Sequence, residues 1–263
     1  MSTASQPQIT VHWLDQSRAQ RVLWLLEELE LPYERRYPVH LDIEVASRTG
    51  FGVWPVKIYR RDPKTMLAPK ELAEIHPLGK SPVIQVVDPS SSSAEPLVLA
   101  ESGAICEFLI ERYGKGKFGI AADGDLKDRA DYLYWLHWAE GTAMTPLMMA
   151  IVFAQIPKQA PFIVRPIISM IREGVMAQFI RPRLKGNYAY VEKWLTGREF
   201  FVGGKLTGAD VMMSFIAESL EAAPIDQSAY PNIARWHKTI QNRPAYQRAE
   251  EKGGKNDLTM FVK

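Results

Sequence analysis

Ser17 is the first residue whose type and position could do chemistry. It opens Ser17-Arg18-Ala19-Gln20, a serine followed three residues on by glutamine, which is the spacing of a helix capping box. In the structural role its oxygen would accept the amide three residues on while the glutamine reaches back. In the chemical role the same hydroxyl, just beyond a strand and at a helix start, donates to an anion in a region of positive helix potential. Spacing alone leaves both open. Glu101-Ser102 stands in a similar place, at the end of a hairpin strand and the start of a helix, with Ser102 as the expected N-cap. A carboxylate and a hydroxyl beside unpaired backbone amides can hold a zwitterionic amino-acid group, its ammonium on Glu101 and its carboxylate on the amides. In Gly79-Lys80-Ser81-Pro82-Val83, proline takes the first position of a strand, where it has no amide to give the ladder. This is either an ordinary edge-strand start or a cis-proline that offers the Ser81 backbone to an extended, peptide-like ligand. Thr207-Gly208-Ala209-Asp210, after Leu206, is another capping box, expected to be purely structural.

Other chemistries find little support. The histidines at 12, 40, 76, 137 and 237 form no HExxH pair or other metal spacing, so they are expected to be structural and no metal site is expected. Cys106 is the single cysteine, which excludes an intramolecular disulfide, a CxxC pair and a multi-cysteine zinc site. Reducing cytosol is the expected compartment. With 32 basic and 30 acidic residues the chain carries a net charge of +2, which argues against a nucleic-acid binder built on a broad basic field. The longest unbroken apolar run, 147–154, is well short of the roughly 18 residues of a membrane span. Residues 1–8 lack the basic and apolar regions of a secretory signal and are expected to be a disordered lead-in.

The elements that must position these residues fall into two groups. Residues 9–14 alternate as a strand, and Ala19, Val22, Leu23, Leu26 and Leu29 recur at helical spacing up to Pro32. A second strand is expected at 33–37 or at 56–59, and short helix at 70–76. The clearest hairpin joins 83–87 to 97–99 across a turn rich in serine and proline, and helix resumes over 102–113. This order predicts a mixed sheet with flanking helices. Glycine-rich 114–124 reads as a linker. Beyond it, 126–156, 161–179, 183–195, 207–222 and 232–252 favour helix, with Pro146, Pro157, Pro161, Pro166 and Pro182 starting, kinking or ending helices. The expected organisation is therefore an α/β domain over 1–113, a linker over 114–124 and an all-helical domain over 125–263.

Four ordered motifs, spread over nearly the whole chain, resemble a family. The stretch from His12 through Ser17 and Arg21 to Leu29 is similar to the opening of a group of fungal glutathione transferases. His76-Pro77-Leu78-Gly79-Lys80-Ser81-Pro82 resembles that family's cis-proline segment, Glu101-Ser102-Gly103 its Glu/Gln-Ser motif, and the stretch from Gly203 to Asp210 its buried N-capping box. The resemblance implies a thioredoxin-like N-terminal domain, an all-helical C-terminal domain and a homodimer. It implies glutathione as co-substrate, with no tightly bound cofactor and a small hydrophobic electrophile as the second substrate.

Carried over by position, Ser17 matches the thiol-activating serine of serine-type transferases, while the tyrosine-type position holds Trp13. Lys80, Ser81, Glu101 and Ser102 would bind glutathione, and Pro82, Thr207 and Asp210 would be structural. Trp13, Leu14, Tyr134, Trp138 and Met144 are the candidates for the acceptor site, with Met148 and Met149 as further members or core. Mixed-disulfide chemistry needs a cysteine near residue 17, and Cys106 lies elsewhere. Two departures stand out. Ser81 replaces the aliphatic residue usual before the cis-proline, and 38–55 is extra to the pattern, either a surface loop or a retained in-frame intron. The expected function is transfer of glutathione to an electrophilic carbon in the cytoplasm, with detoxification and stress response as its setting. Glutathione-dependent peroxidase activity at the same site, and a non-catalytic ligand-binding or regulatory protein on the same fold, are the alternatives.

Overall fold

The computed structural model describes residues 7–31, 56–62, 65, 67–93, 95–256 and 258–261. The chain forms two compact units, Met1–Lys115 with Arg243–Asn256, and Gly116–Asn242 with Asp257–Lys263.

The first unit is built on β1 (Gln8–Leu14), α1 (Gln20–Glu28), β2 (Val56–Tyr59), α2 (Glu71–Ile75), β3 (Val83–Val87), β4 (Leu97–Ala100) and α3 (Ser102–Tyr113). The sheet order is β2-β1-β3-β4, with β1 and β2 parallel and the other pairs antiparallel. Parallel neighbours need a long crossover, which the chain through α1 supplies, whereas β3 and β4 need only the turn between them. This is the thioredoxin-like arrangement. Of the two places expected for the second strand, 56–59 is the one seen; 33–37 and the extra segment 38–55 lie outside the described residues. Gln8, assigned above to the lead-in, instead opens β1 and pairs with Val87.

The run expected as one helix over 232–252 divides into α9 (Pro231–Gln241) and a separate last helix, α10 (Pro244–Gly253). Arg243, ahead of Pro244, is extended, as a residue before proline prefers. α10 packs on α1 in the first unit rather than joining the helical group. Glu28 pairs with Arg243, and Glu27 with both Arg248 and Lys252, so two nearly buried carboxylates fix the docking. Gly253 closes the contact: a Cβ there would fall 2.5 Å from Gln20 Oε1, 2.7 Å from Leu23 Cδ1 and 3.1 Å from Trp13 Nε1. Gly253→Ala is therefore expected to destabilise by about 1–3 kcal/mol through overpacking, seen as a lowered urea midpoint. An unchanged midpoint would mean that α10 shifts at no cost.

The second unit contains α4 (Leu126–Trp138), α5 (Met144–Gln159), α6 (Arg165–Val175), α7 (Arg181–Trp194), α8 (Gly208–Leu220) and α9 (Pro231–Gln241). Its described residues form no strand beyond the single bridge between Val202 and Lys205. Wider π turns at Ala139–Ala143 and Met176–Ile180 join α4 to α5 and α6 to α7. Each has a proline just downstream. Pro146 and Pro182 cannot donate to the carbonyls four residues back, Thr142 and Gln178, and widening the ladder is one way to absorb that loss. The Thr142 carbonyl accepts instead from Asn187 Nδ2 at 3.4 Å. The continuous run Leu126–Gln159 is long and apolar enough to cross a bilayer by length and composition alone. Tyr132, Trp135, Leu136, Ala139 and Leu147 are nevertheless buried, and α4 packs on α8, as in the core helix of a folded domain.

Candidate functional site

Ser17 lies in the turn between β1 and α1. Its capping-box role is not formed, because α1 begins at Gln20 and its cap residue is Ala19. The Ser17 oxygen accepts the Ala19 amide two residues on, at 3.2 Å, and the first turn closes by tighter bonds such as Val22 N–H to Ala19 O. Gln20, expected to reach back, is buried against the Gly253 contact instead. A hydroxyl that accepts this bond still has its hydrogen to donate.

Arg61, which periodicity and motifs did not single out, holds this turn from the end of β2. Its amide donates to Asp15 Oδ1 at 2.9 Å, and its Nε to the Asp15 carbonyl at 3.2 Å. Gln16, between Asp15 and Ser17, has a φ of +50°, a left-handed conformation that these bonds help to hold. An arginine following an apolar strand leaves no local signal of such a partner.

The Ser81-Pro82 peptide is cis, as one of the two sequence alternatives has it. The ladder of β1 and β3 runs from Gln8–Val87 to His12–Val83; continued past Trp13 and Pro82, the register would put Leu14 opposite Ser81. There the side chain takes over: Ser81 Oγ donates to the His12 carbonyl at 2.8 Å and accepts the Leu14 amide at 3.2 Å. An aliphatic residue at this position could make neither bond. His12 itself is buried between Tyr59 Oη at 3.0 Å and Gln85 Oε1 at 2.9 Å, and burial lowers its pKa, favouring the neutral ring. Upstream, Gly79 adopts φ +56°, closing the turn with its amide on the His76 carbonyl at 2.8 Å.

At the other side of the segment, Glu101 rather than Ser102 is the cap residue of α3. Glu101 has a φ of +72° and is exposed, whereas Ser102 is the buried first residue of the helix and makes no side-chain cap. A left-handed glutamate costs on the order of 1 kcal/mol, and such strain gathers at functional sites. The first bond of α3 is Ile105 N–H to Glu101 O, so the amides of Ser102, Gly103 and Ala104 precede the helix ladder. One recess is lined by Lys80, Ser81, Pro82, Glu101 and Ser102, with Arg18, His76, Leu78 and Ala100. All the expected glutathione-binding residues thus share a wall, and Arg18 and His76 join them. Ser17 is not on that lining, although its neighbour Arg18 is.

The acceptor-site candidates fare differently. Trp13 and Leu14 are buried in the first unit; Trp138 and Met144 are buried in the second. Trp138 packs with Trp135, which also meets Tyr190, Trp194 and Phe201, so it belongs to an aromatic core. Aromatic and apolar residues satisfy core and pocket equally well in a sequence, and these four are taken up by the cores of their units. Tyr134 and Met148 are exposed. Thr207 and Asp210 form the expected capping box, buried: the Thr207 amide and hydroxyl donate to Asp210 Oδ2 at 2.9 and 3.0 Å. No group of three or more potential metal-ligating side chains occurs among the described residues.

Residues 17–112 match the model of the glutathione S-transferase N-terminal domain, and residues 156–244 that of the C-terminal domain. Glutathione S-transferase 1 of Saccharomyces cerevisiae is 32% identical over 254 residues, covering 94% of this chain and 96% of its own length. The chain belongs to the glutathione S-transferase family. A solved glutathione S-transferase from Actinobacillus pleuropneumoniae, 32% identical, superposes with a TM-score of 0.68 over 96% of each chain. A glutathione transferase homolog from Lodderomyces elongisporus, described with two GSH per subunit, has a TM-score of 0.65 at 18% identity, covering 93% of this chain and 98% of its own. In this transferase, the N-terminal match begins at Ser17 and ends within α3, so it spans the whole recess.

Proposed function

We propose that this chain conjugates glutathione to small hydrophobic electrophiles, with Ser17 stabilising the thiolate. The observation that carries this is the recess that joins the cis-proline segment to the start of α3. Its chemistry suits a γ-glutamyl peptide: the α-carboxylate meets the amides at the start of α3 and the Ser102 hydroxyl, and the ammonium meets Glu101. The Ser81 backbone would pair with the cysteinyl unit, while Lys80 and Arg18 offer cations to the remaining carboxylate. The thiol would then be directed to the Ser17 turn. Lowering a thiol pKa from about 8.5 by about two units takes about 2.7 kcal/mol. A hydroxyl bond to an anion, about 1.5–3 kcal/mol, and the α1 N-terminus, about 0.3–1 kcal/mol, are of that order. The exposed Leu97 and Val98 on β4 fit a homodimer of the kind usual in the family. Buried Cys106 fits a reducing cytosol and leaves no cysteine beside Ser17 for thiol-disulfide exchange.

The test is the double variant Glu101→Ala with Ser102→Ala. Its glutathione KM should rise by about tenfold or more with kcat nearly unchanged, because both contacts serve ground and transition states alike. Titration calorimetry showing unaltered glutathione affinity would remove these residues from the binding site.

A further inference from the structure

We infer that Arg61 is a positioning residue for thiol activation, its guanidinium fixing the turn that presents Ser17. The inference rests on the role proposed for Ser17. Past the Leu14–Tyr59 pair the contact of β1 with β2 continues for one bond, from the Asp15 amide to the Tyr59 carbonyl at 3.1 Å. The chain then turns out of the sheet toward α1, and Arg61 follows it. The Arg61 amide engages Asp15 Oδ1 at 2.9 Å, its Nε donates to the Asp15 carbonyl at 3.2 Å, and its NH2 reaches the Gln16 carbonyl at 3.5 Å. Two successive carbonyls thus meet one planar fork, a geometry that a guanidinium supplies and an ammonium does not.

The grip acts on an unfavourable conformation. Gln16 is left-handed, with a φ of +50°, and has none of glycine's freedom there. Ser17 follows it directly, so the Gln16 torsions set where the Ser17 hydroxyl points. On the far side Ser17 Oγ accepts the Ala19 amide, which orders it relative to α1 but not relative to the sheet. Arg61 is half-buried and does not line the recess, so it reaches the reacting centre through the turn rather than by touching glutathione. A hydrogen bond to a thiolate weakens steeply with distance and angle. Relaxation of the turn would therefore cost thiolate stabilisation while the wall of Lys80, Ser81, Glu101 and Ser102 stays in place. The signature of Arg61 lies in thiol ionisation, not in glutathione affinity.

The test titrates the thiol of enzyme-bound glutathione by its ultraviolet thiolate absorbance, from about pH 5 to about pH 10, with melting temperatures alongside. Arg61→Met keeps much of the apolar stem and removes the donors. It should raise the bound thiol pKa by about one unit and lower kcat toward chlorodinitrobenzene about five- to tenfold near neutral pH, with glutathione KM within about twofold of wild type. Arg61→Lys returns the charge without the fork, so its thiol pKa should stay raised by about half a unit or more. Adding Arg61→Met to Ser17→Ala should shift the thiol no further than Ser17→Ala alone, because no hydroxyl remains to be positioned. An unshifted thiol in Arg61→Met beside a shifted one in Ser17→Ala would overturn the inference and leave Ser17 standing, and a lowered melting temperature would then mark Arg61 as structural alone. Full rescue by lysine, or shifts that add in the double variant, would also overturn it, since Arg61 would then act on the thiolate directly by its charge. If Arg61→Met does not fold, Arg61→Lys decides by the same readout. An unshifted thiol in Ser17→Ala would instead remove the role of Ser17, and this inference with it.

Discussion

Asp210→Ala is expected to remove about 3–5 kcal/mol of stability, enough to leave much of the chain unfolded or insoluble at physiological temperature. Asp210 is fully buried and serves four donors. Oδ2 accepts the Thr207 amide and hydroxyl, and Oδ1 accepts the Phe201 amide at 3.0 Å and the Trp236 indole N–H at 3.2 Å. Alanine would strand these donors away from water and leave a void at the start of α8. Asp210→Asn should lose less, since one oxygen still accepts while its NH2 group opposes the other donors. Burial outweighs the four donors and raises the Asp210 pKa from 3.8 to about 6. The folded chain therefore binds this proton more tightly than the unfolded chain, so the associated stability is present below about pH 4 and lost as pH rises through 6. Urea unfolding at several pH values from 4 to 7 should show that slope in the wild type and its loss in Asp210→Asn. A folded Asp210→Ala protein within about 1 kcal/mol of wild type would show that the network is dispensable.

Ser17→Ala is expected to lower conjugation at neutral pH by tenfold or more while glutathione affinity changes little, because the hydroxyl meets the thiolate more strongly than the thiol. Its oxygen already accepts the Ala19 amide, which orients it and leaves its hydrogen to donate. The deficit should shrink as pH approaches 9, where bound glutathione ionises without help. Steady-state rates across that range, with glutathione binding measured alongside, provide the check. Near-wild-type turnover at pH 7 in a folded variant would sink the role of Ser17 and leave backbone amides as the activating group.

The sequence by itself determined the features whose causes lie within a few residues of one another. Alternation over 9–14, the 83–87 and 97–99 hairpin, the helix from Ser102 and the Thr207-Asp210 box all appear in the structure near their expected places. Periodicity and turn chemistry act over such windows, so they are legible without a fold. The tertiary structure decided the rest. Ser81 meets His12 across 69 positions of chain, and Arg61 grips Asp15 across 46, pairings that exist only once β1, β2 and the β3 approach lie side by side. The departure at Ser81 is explained there, because its hydroxyl continues a ladder whose backbone partner has turned away. Glu101 took the cap position expected of Ser102, and α10 left the helical group to pack on α1, held by Glu27 and Glu28. Local sequence records what a segment prefers to be, whereas which distant polar groups it must satisfy, and which apolar side chains find cover, depend on the topology that brings them together.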